Sequence, residues 1–267
     1  MSFQTRQFEI HQNVTINAIV HPVPSKKPTL IFLHYWGGSS RMWLPVMKRL
    51  SSYPSIALDF RGWGDSTGPH DEAGYSISML ASDIEKVIKE MELDSFVLAG
   101  LSMGGKVAQV IAAHNPPGLK SVILLSPAPL TPFQLPEDMR EQQIHAYDTA
   151  ESATFVAANV LTASARGEVV AALVEDQLKG NEWAKAAWPK YGMAEDYGEL
   201  SGSIAVPVLV LAAEKDVVEP VERVREVFEK IGTQWGIIEG SSHLSPVECV
   251  EDVARAIEEF VGREALA

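Results

Sequence analysis

Two rhythms of apolar and polar positions run along this chain. The opening segment "QFEIHQNVTINAIVHP" alternates around a turn-prone Gln12–Asn13, the pattern of an antiparallel hairpin covered on one face. After Pro22, Pro24 and Pro28 the alternation gives way to short continuous apolar runs: "TLIFLH", "SIALDF", "SFVLAG", "SVILLS", "PVLVLAA" and "WGIIEG". Their lack of alternation predicts strands buried on both faces, which need helices above and below. Helical spacing supplies them: Ile77, Leu80, Ile84, Val87, Ile88 and Met91 recur every three or four residues, as do Val250, Val253, Ile257, Phe260 and Val261. Strands alternating with helices predict a doubly wound α/β fold, a mostly parallel twisted sheet with an N-terminal antiparallel hairpin and helices on both faces.

Between "SVILLSPAP" and "PVLVLAA" the alternation stops for about seventy residues, too long for an ordinary loop and rich in helix formers. We read Pro129 to Ser203 as a helical cap inserted after the sixth strand, entered through "PAPLTPFQLP" and left through "SGS". That divides the chain into a core of residues 1–128 and 204–267 and a cap of residues 129–203.

Composition narrows the partners. The 267 residues are 46% apolar, enough for one large core, and carry a formal charge of −13 spread along the sequence. That charge repels polyanions and argues against nucleic acid and acidic membrane surfaces. A single cysteine, Cys249, excludes an internal disulfide, and its helical surroundings predict a buried structural thiol. The start, "MSFQTRQFEIHQ", has no apolar core of the signal-peptide kind, and no stretch approaches the ~20 apolar residues that span a bilayer. A cytoplasmic protein is the expectation, as monomer or homodimer.

The chemistry concentrates at "VLAGLSMGGKV", which fits two templates. Gly100, Ser102 and Gly104 make G-x-S-x-G, the corner that exposes a nucleophilic serine between strand and helix. Gly100, Gly105 and Lys106 make all but the last position of the phosphate-binding G-x-x-x-x-G-K-[ST]. Val107 replaces the magnesium-holding hydroxyl, and Ser126 stands after the next strand where an acid is needed. The serine template is the better fit, and Lys106 is then expected to be an ordinary exposed helix residue.

A serine hydroxyl needs a base, and the base needs an orienting acid. Of seven histidines, His243 in "EGSSHLSP" lies just beyond the last buried strand and before the last helix, at the strand ends where open α/β sheets bind ligands. Asp216 in "LVLAAEKDVVEP" follows the preceding strand, with Glu214 as its local competitor. Asp59 also ends a strand, but with Arg61 nearby a structural ion pair is expected.

The order Ser102, Asp216, His243, together with "DFRGWGDS", "GLSMGG" and "EKDVVEP", resembles the α/β-hydrolase fold family. The pattern is similar to its small capped group of esterases, cofactor-free haloperoxidase-type hydrolases and carbon–carbon bond hydrolases. The resemblance implies an oxyanion hole from the backbone N–H of Met103 and, in "HYWGG", from that of Trp36, with His34 in the structural-histidine position. Tyr35 takes the place of the usual glycine, where it either places a phenol in the pocket or packs beside the sheet. Cap aromatics Phe133, Tyr147, Phe155, Trp183, Trp188, Tyr191 and Tyr197 are candidates to line an apolar site, with Tyr35, Trp183 and Trp188 singled out for the substrate.

The implied reaction is hydrolysis of a small, uncharged, partly apolar ester-like substrate (a carboxylic ester or lactone) through an acyl-enzyme on Ser102, with no metal and no organic cofactor. Two other readings stay open. One is a cofactor-free dioxygenase or lyase in which the His243–Asp216 pair is the base; the other is a ligand-binding sensor with weak hydrolysis.

Overall fold

A computed structural model of the chain describes residues 2–264. The N-terminal hairpin forms from β1 (Gln4–His11) and β2 (Val14–His21), turning through Asn13 at φ 67°. The core then runs β3 (Thr29–Leu33), α1 (Leu44–Arg49), β4 (Ser55–Leu58), α2 (Ile77–Glu90), β5 (Phe96–Leu101), α3 (Met103–Ala113) and β6 (Leu119–Leu125). Next come the helices α4 (Glu137–Ile144), α5 (Ala150–Val156), a π-helical turn at Ala157–Leu161, α6 (Glu168–Lys179) and α7 (Glu182–Lys190). The chain returns to the sheet as β7 (Val208–Ala213), α8 (Val221–Ile231), β8 (Gln234–Ile238), α9 (Ser245–Glu248) and α10 (Val250–Glu264).

The eight strands form one sheet in the order β1-β2-β4-β3-β5-β6-β7-β8. Pairings β1–β2 and β2–β4 are antiparallel, and the rest are parallel. The continuous apolar runs are explained by the two core layers. In β3, Ile31 and Leu33 face one layer while Leu30 and Phe32 face the other; in β5, Phe96 and Leu98 oppose Val97, Ala99 and Leu101. Because the chain leaves β4 to place β5 on the far side of β3, the strand order reverses between β3 and β5. A crevice therefore opens at their carboxyl ends. Among the described residues no helix is long and apolar enough to cross a membrane.

The segment between β6 and β7 is helical and shares core with the sheet. Its Leu130, Tyr147, Trp188 and Met193 are buried in the layer with α2 and α3, while Leu161 and Leu173 are buried in the opposite one.

Two expectations are corrected here. Arg61 does not pair with Asp59; it forks onto Asp83 of α2 (Nε–Oδ2 and NH2–Oδ1 both 2.6 Å) and donates to Gly74 O at 2.7 Å. Asp59 has its lone pairs filled by neutral amides, from Asn17 Nδ2 (2.8 Å) and the backbone N–H groups of Ser40 (2.5 Å) and Asp65 (3.0 Å). A carboxylate so supplied has no need of the guanidinium, whose planar fork matches the bare edge of Asp83. Cys249 is half-buried rather than buried, because it lies at the break between α9 and α10, where its Sγ donates to Glu239 O at 3.6 Å.

The Arg61–Asp83 pair is nearly dry, at 6% and 1% side-chain exposure. Asp83→Ala strands a buried guanidinium, and denaturant titration should show about 3–5 kcal/mol lost.

Candidate active site

Ser102 sits at the corner between β5 and α3 with φ 55° and ψ −118°, a left-handed conformation that costs an L-residue roughly 1–3 kcal/mol. Its neighbours show why the corner needs glycine. A Cβ on Gly100 would stand 2.3 Å from Gly104 O, and one on Gly104 would stand 2.6 Å from both Leu33 O and His34 O. The corner is held by backbone bonds: Ser102 N donates to Leu125 O (3.1 Å), while Lys106 N (3.1 Å) and Ala128 N (3.2 Å) donate to Ser102 O. The strain is thereby over-determined by the sheet. Met103, as first residue of α3, has a backbone N–H that no carbonyl of its own helix can accept.

Lys106 is not the exposed residue expected. It is fully buried, and its Nζ donates to Glu195 O (2.7 Å) and Met193 O (3.4 Å) at the end of the helical segment. Burial pulls its ammonium down to about 8 against the opposing charges of Glu195, Asp196 and Glu219. Four residues after Ser102, it lies one helical turn along α3 and ties that helix to the chain between α7 and β7.

Asp216 and His243 meet. His243 Nδ1 lies 2.8 Å from Asp216 Oδ2, with both side chains almost wholly buried, at 2% and 0% exposure. Asp216 Oδ1 accepts the backbone N–H groups of Val218 (2.8 Å) and Glu219 (2.9 Å), so the carboxylate is fixed before it meets the ring. Burial works to raise Asp216, but the His243 charge and hydrogen bond, with the Glu219 N–H, bring it below the ordinary aspartate value. In His243, burial favours the neutral ring; Asp216, by charge and hydrogen bond, outweighs it and raises the imidazole above 6.5. With Nδ1–H donating to the acid, Nε2 of the neutral ring is the free base position.

Glu214, the competing acid, is engaged elsewhere. Its Oε2 accepts Gly240 N at 2.8 Å and so holds the loop that carries His243. Glu248 clamps the same loop through Ser242 N (2.8 Å), and Leu244 N donates to Leu161 O (3.1 Å) in the helical segment between β6 and β7. Ser102 and His243 follow carboxyl ends of strands in one sheet and are 6% and 1% exposed. Among the described residues the Ser102 hydroxyl makes no hydrogen bond to the imidazole; without substrate this contact is commonly loose.

The loop after β3 is built around a buried histidine. His34 Nδ1 donates to Tyr35 O (2.6 Å) and its Nε2 accepts from Phe60 N (3.0 Å), which fixes a neutral tautomer. Burial drives its pKa down to about 4 despite the charge of Asp59 and the bond to Tyr35 O. Tyr35 O also accepts Gly38 N (3.0 Å), closing a turn whose third residue, Gly37, has φ 96°. The glycine freedom missing at Tyr35 is thus found two residues later.

Tyr35 itself is 2% exposed and packs beside the sheet, in the layer opposite to Trp36 and Met103, with its ring against Gly38. The structure does not place its phenol in the cavity against Met103. Trp36 is held by the helical segment between β6 and β7: its carbonyl accepts from Tyr147 Oη (3.1 Å), its Nε1 donates to Lys185 O (3.0 Å), and its ring lies 4.3 Å from that of Tyr147.

A cavity of about 10 Å³, room for one water, lies against Met103 and is lined by Trp63, Tyr75, Leu80, Ala184 and Trp188. Trp188 thus lines the space beside Met103, whereas Trp183 stacks on His70 (ring centroids 4.6 Å, 13°) and Phe155 is 63% exposed. A larger cavity of about 240 Å³, lined by Gln109, Leu130, Ser201 and Val227, includes none of the three candidate catalytic residues. Among the described residues no group of three His, Cys, Asp or Glu side chains could hold a metal ion.

Sequence reasoning missed Asp176. This aspartate on α6 is 4% exposed, accepts from Ser39 Oγ (2.9 Å) and Arg41 Nε (2.9 Å), and so latches α6 to the loop that carries Trp36. Its only sequence signal is an acid where α6 repeats its apolar positions, which gives no partner.

A family model described as alpha/beta hydrolase fold matches residues 28–248. The 3-oxoadipate enol-lactonase 2 of Acinetobacter baylyi is 26% identical over 241 residues, 89% of this chain and 90% of that protein. An AB hydrolase superfamily protein of Bacillus subtilis is 34% identical over 142 residues, 51% of this chain and 50% of its own length. The chain spans about half the length, or less, of the curated relatives it matches at 34–35% identity. The structure of an esterase from Exiguobacterium antarcticum superposes with a TM-score of 0.87 at 22% identity, covering 97% of this chain and 100% of that one, a likeness of fold.

Two measurements test this arrangement. Asp176→Ala should speed hydrogen exchange in residues 34–43 and α6 together, and lower stability by about 1–3 kcal/mol. His34 must gain a proton on unfolding below 6.5 but resists it in the fold down to about 4. Its contribution is therefore present above 6.5 and lost as pH falls, by roughly 3 kcal/mol at pH 4, and His34→Gln should flatten that part of the stability–pH curve.

Proposed function

The chain belongs to the alpha/beta hydrolase fold family, and from that membership we propose that it is a serine hydrolase acting on a small, uncharged ester-like substrate. Relatives named as lactonases and esterases support a hydrolase; the buried Asp216–His243 pair at the rim that also carries the left-handed Ser102 supports the finer reading.

In this reading Ser102 Oγ bonds to the substrate carbonyl carbon as its proton passes to His243 Nε2. Asp216, accepting from Nδ1–H, holds the ring in that tautomer and stabilises the imidazolium that forms. The carbonyl oxygen becomes an oxyanion, which the Met103 N–H at the start of α3 is positioned to receive, with the Trp36 N–H as second donor. The imidazolium then protonates the departing alkoxide, leaving an acyl group on Ser102. Water, giving its proton to the same Nε2, attacks that ester; the Ser102 Oγ–acyl bond then breaks, Nε2 returns the proton to Oγ, and the acid product leaves.

A second reading, proton abstraction by the His243–Asp216 pair in a cofactor-free dioxygenase or lyase, rests on one observation. The acid–base pair is assembled and buried without any contribution from the Ser102 hydroxyl. Removing the hydroxyl separates the two readings.

A fluorophosphonate probe should label Ser102, and Ser102→Ala should lose label and nearly all hydrolysis across p-nitrophenyl esters of graded chain length and lactones. Unlabelled, folded wild type, or a Ser102→Ala variant with most of its turnover, transfers the case to the base-driven reading. The base works as the neutral ring, so kcat/KM should rise with pH through a midpoint above 6.5, the direction in which Asp216 shifts His243. Asp216→Asn removes that pull and leaves burial opposed only by the smaller pull of Glu219, so the midpoint should fall as kcat drops by about 10³–10⁴-fold.

A further inference from the structure

The cavity of about 240 Å³ lies where the chain leaves β6 and returns toward β7, and neither Ser102, Asp216 nor His243 lines it. Gln109 of α3 forms one wall, Val227 and Ile231 of α8 another, and Leu130, Thr131 and Ser201, from the two ends of the intervening segment, close it.

One wall carries a buried acceptor with nothing to accept. Gln109 is 1% exposed, and both hydrogens of its amide are engaged, Nε2 donating to Gly105 O at 3.0 Å and Ala128 O at 2.9 Å. These bonds fix which way the carboxamide faces, and they leave Oε1 without a partner among the described residues. A carbonyl oxygen taken from water and left unmatched is costly, so the position favours whatever brings it a donor.

The remaining wall limits what that donor can be. Leu130 and Val227 are buried apolar side chains, at 5% and 4% exposure, and Pro129 and Ile231 are half-buried beside them. At the rim Glu226 and Lys230, one turn apart on exposed positions of α8, carry opposite charges, so the mouth selects neither sign. A cation would be desolvated against apolar walls with only a neutral amide to meet it, and an anion has no hydrogen to give Oε1. The volume falls just below the ~300–1,000 Å³ of pockets for drug-sized ligands, which suits a smaller molecule.

We propose that this cavity is a second binding site, separate from the candidate active site, for a small neutral aliphatic molecule that donates a hydroxyl or amide hydrogen to Gln109 Oε1. The site stands next to the strained corner: Gln109 Nε2 holds Ala128 O, and Ala128 N donates to Ser102 O at 3.2 Å. Ala128 is therefore a reporter of occupancy.

The test titrates cyclohexanol and cyclohexanone, rings of one size of which only the alcohol donates, into the intact ¹⁵N-labelled protein. The signals followed are the Gln109 side-chain amide and the backbone amides of Ala128, Thr131 and Val227. Cyclohexanol should shift them saturably and bind about three- to tenfold more tightly than cyclohexanone, the worth of one hydrogen bond. Gln109→Met, which keeps the length of the side chain but removes the acceptor, should erase that preference. Thr131→Trp fills the mouth from a half-buried position whose hydroxyl makes no hydrogen bond among the described residues, and it should abolish the cyclohexanol shifts.

Four results overturn the proposal: no saturable shift at these residues in folded wild type, equal affinity for alcohol and ketone, shifts confined to Met103 and His243, or binding retained in Thr131→Trp. Should Gln109→Met fail to fold, the alcohol–ketone comparison in wild type and the Thr131→Trp titration decide. None of these readouts needs turnover. Failure of fluorophosphonate labelling would therefore remove the hydrolase reading and leave this site standing, and an absence of cyclohexanol binding would do the reverse.

Discussion

The left-handed backbone at Ser102 is the constraint on which the rest of the site depends. A residue at φ 55° turns the chain from β5 into α3 within one position, and nothing but hydrogen can occupy the side-chain positions of Gly100 and Gly104 while it does. Several consequences share that corner. Ser102 follows β5 beside the crevice at the β3–β5 reversal, and α3 begins at Met103 with N–H groups that its own helix cannot satisfy. Lys106 is carried inward one turn later, where its buried ammonium needs carbonyl partners and finds them at Met193 and Glu195. Relaxing the corner would release Ser102, the Met103 N–H and the Lys106 anchor together.

Two buried histidines show how the same burial yields opposite chemistry. His34 bonds to a backbone carbonyl on one nitrogen and a backbone N–H on the other, so the neutral ring is satisfied and a proton would leave one donor facing another. His243 bonds to a carboxylate on one nitrogen, so a proton on the other is compensated by charge. Desolvation is the largest influence in both rings, and the partner's charge decides the sign. The first histidine is a fixed spacer in the loop after β3; the second is free to take up and return a proton.

The sheet was legible in the sequence because buried strands write themselves as continuous apolar runs, and all six runs coincide with β3 to β8, although β8, at the sheet edge, is only half-buried and exposes Ile237. Asp216 and His243 were legible because each follows such a run directly, where the fold collects its ligands. What escaped was the pairing of buried polar groups. Lys106 reads as a surface lysine because its partners, the carbonyls of Met193 and Glu195, are far along the chain and carbonyls leave no mark on a sequence. Arg61 reads as a neighbour of Asp59, but it reaches 22 residues ahead to Asp83. Tyr35 reads as a pocket phenol or a packing residue, and only the alternation of faces beyond β3 settles it toward the sheet.

These polar pairings also define how the helical segment between β6 and β7 meets the loops at the strand ends. A segment hinged at its two ends would leave those loops independent of its position. Here it is fastened along its length: Asp176 to Ser39 and Arg41, Tyr147 and Lys185 to Trp36, Leu161 to Leu244 beside His243. Where such a bond is buried, an unmatched partner costs about 1–3 kcal/mol. The geometry of the candidate site is therefore shared between this segment and the sheet. A sequence change in the segment acts on more than its own packing, because it also moves the backbone of the loop after β3 and of the loop that carries His243.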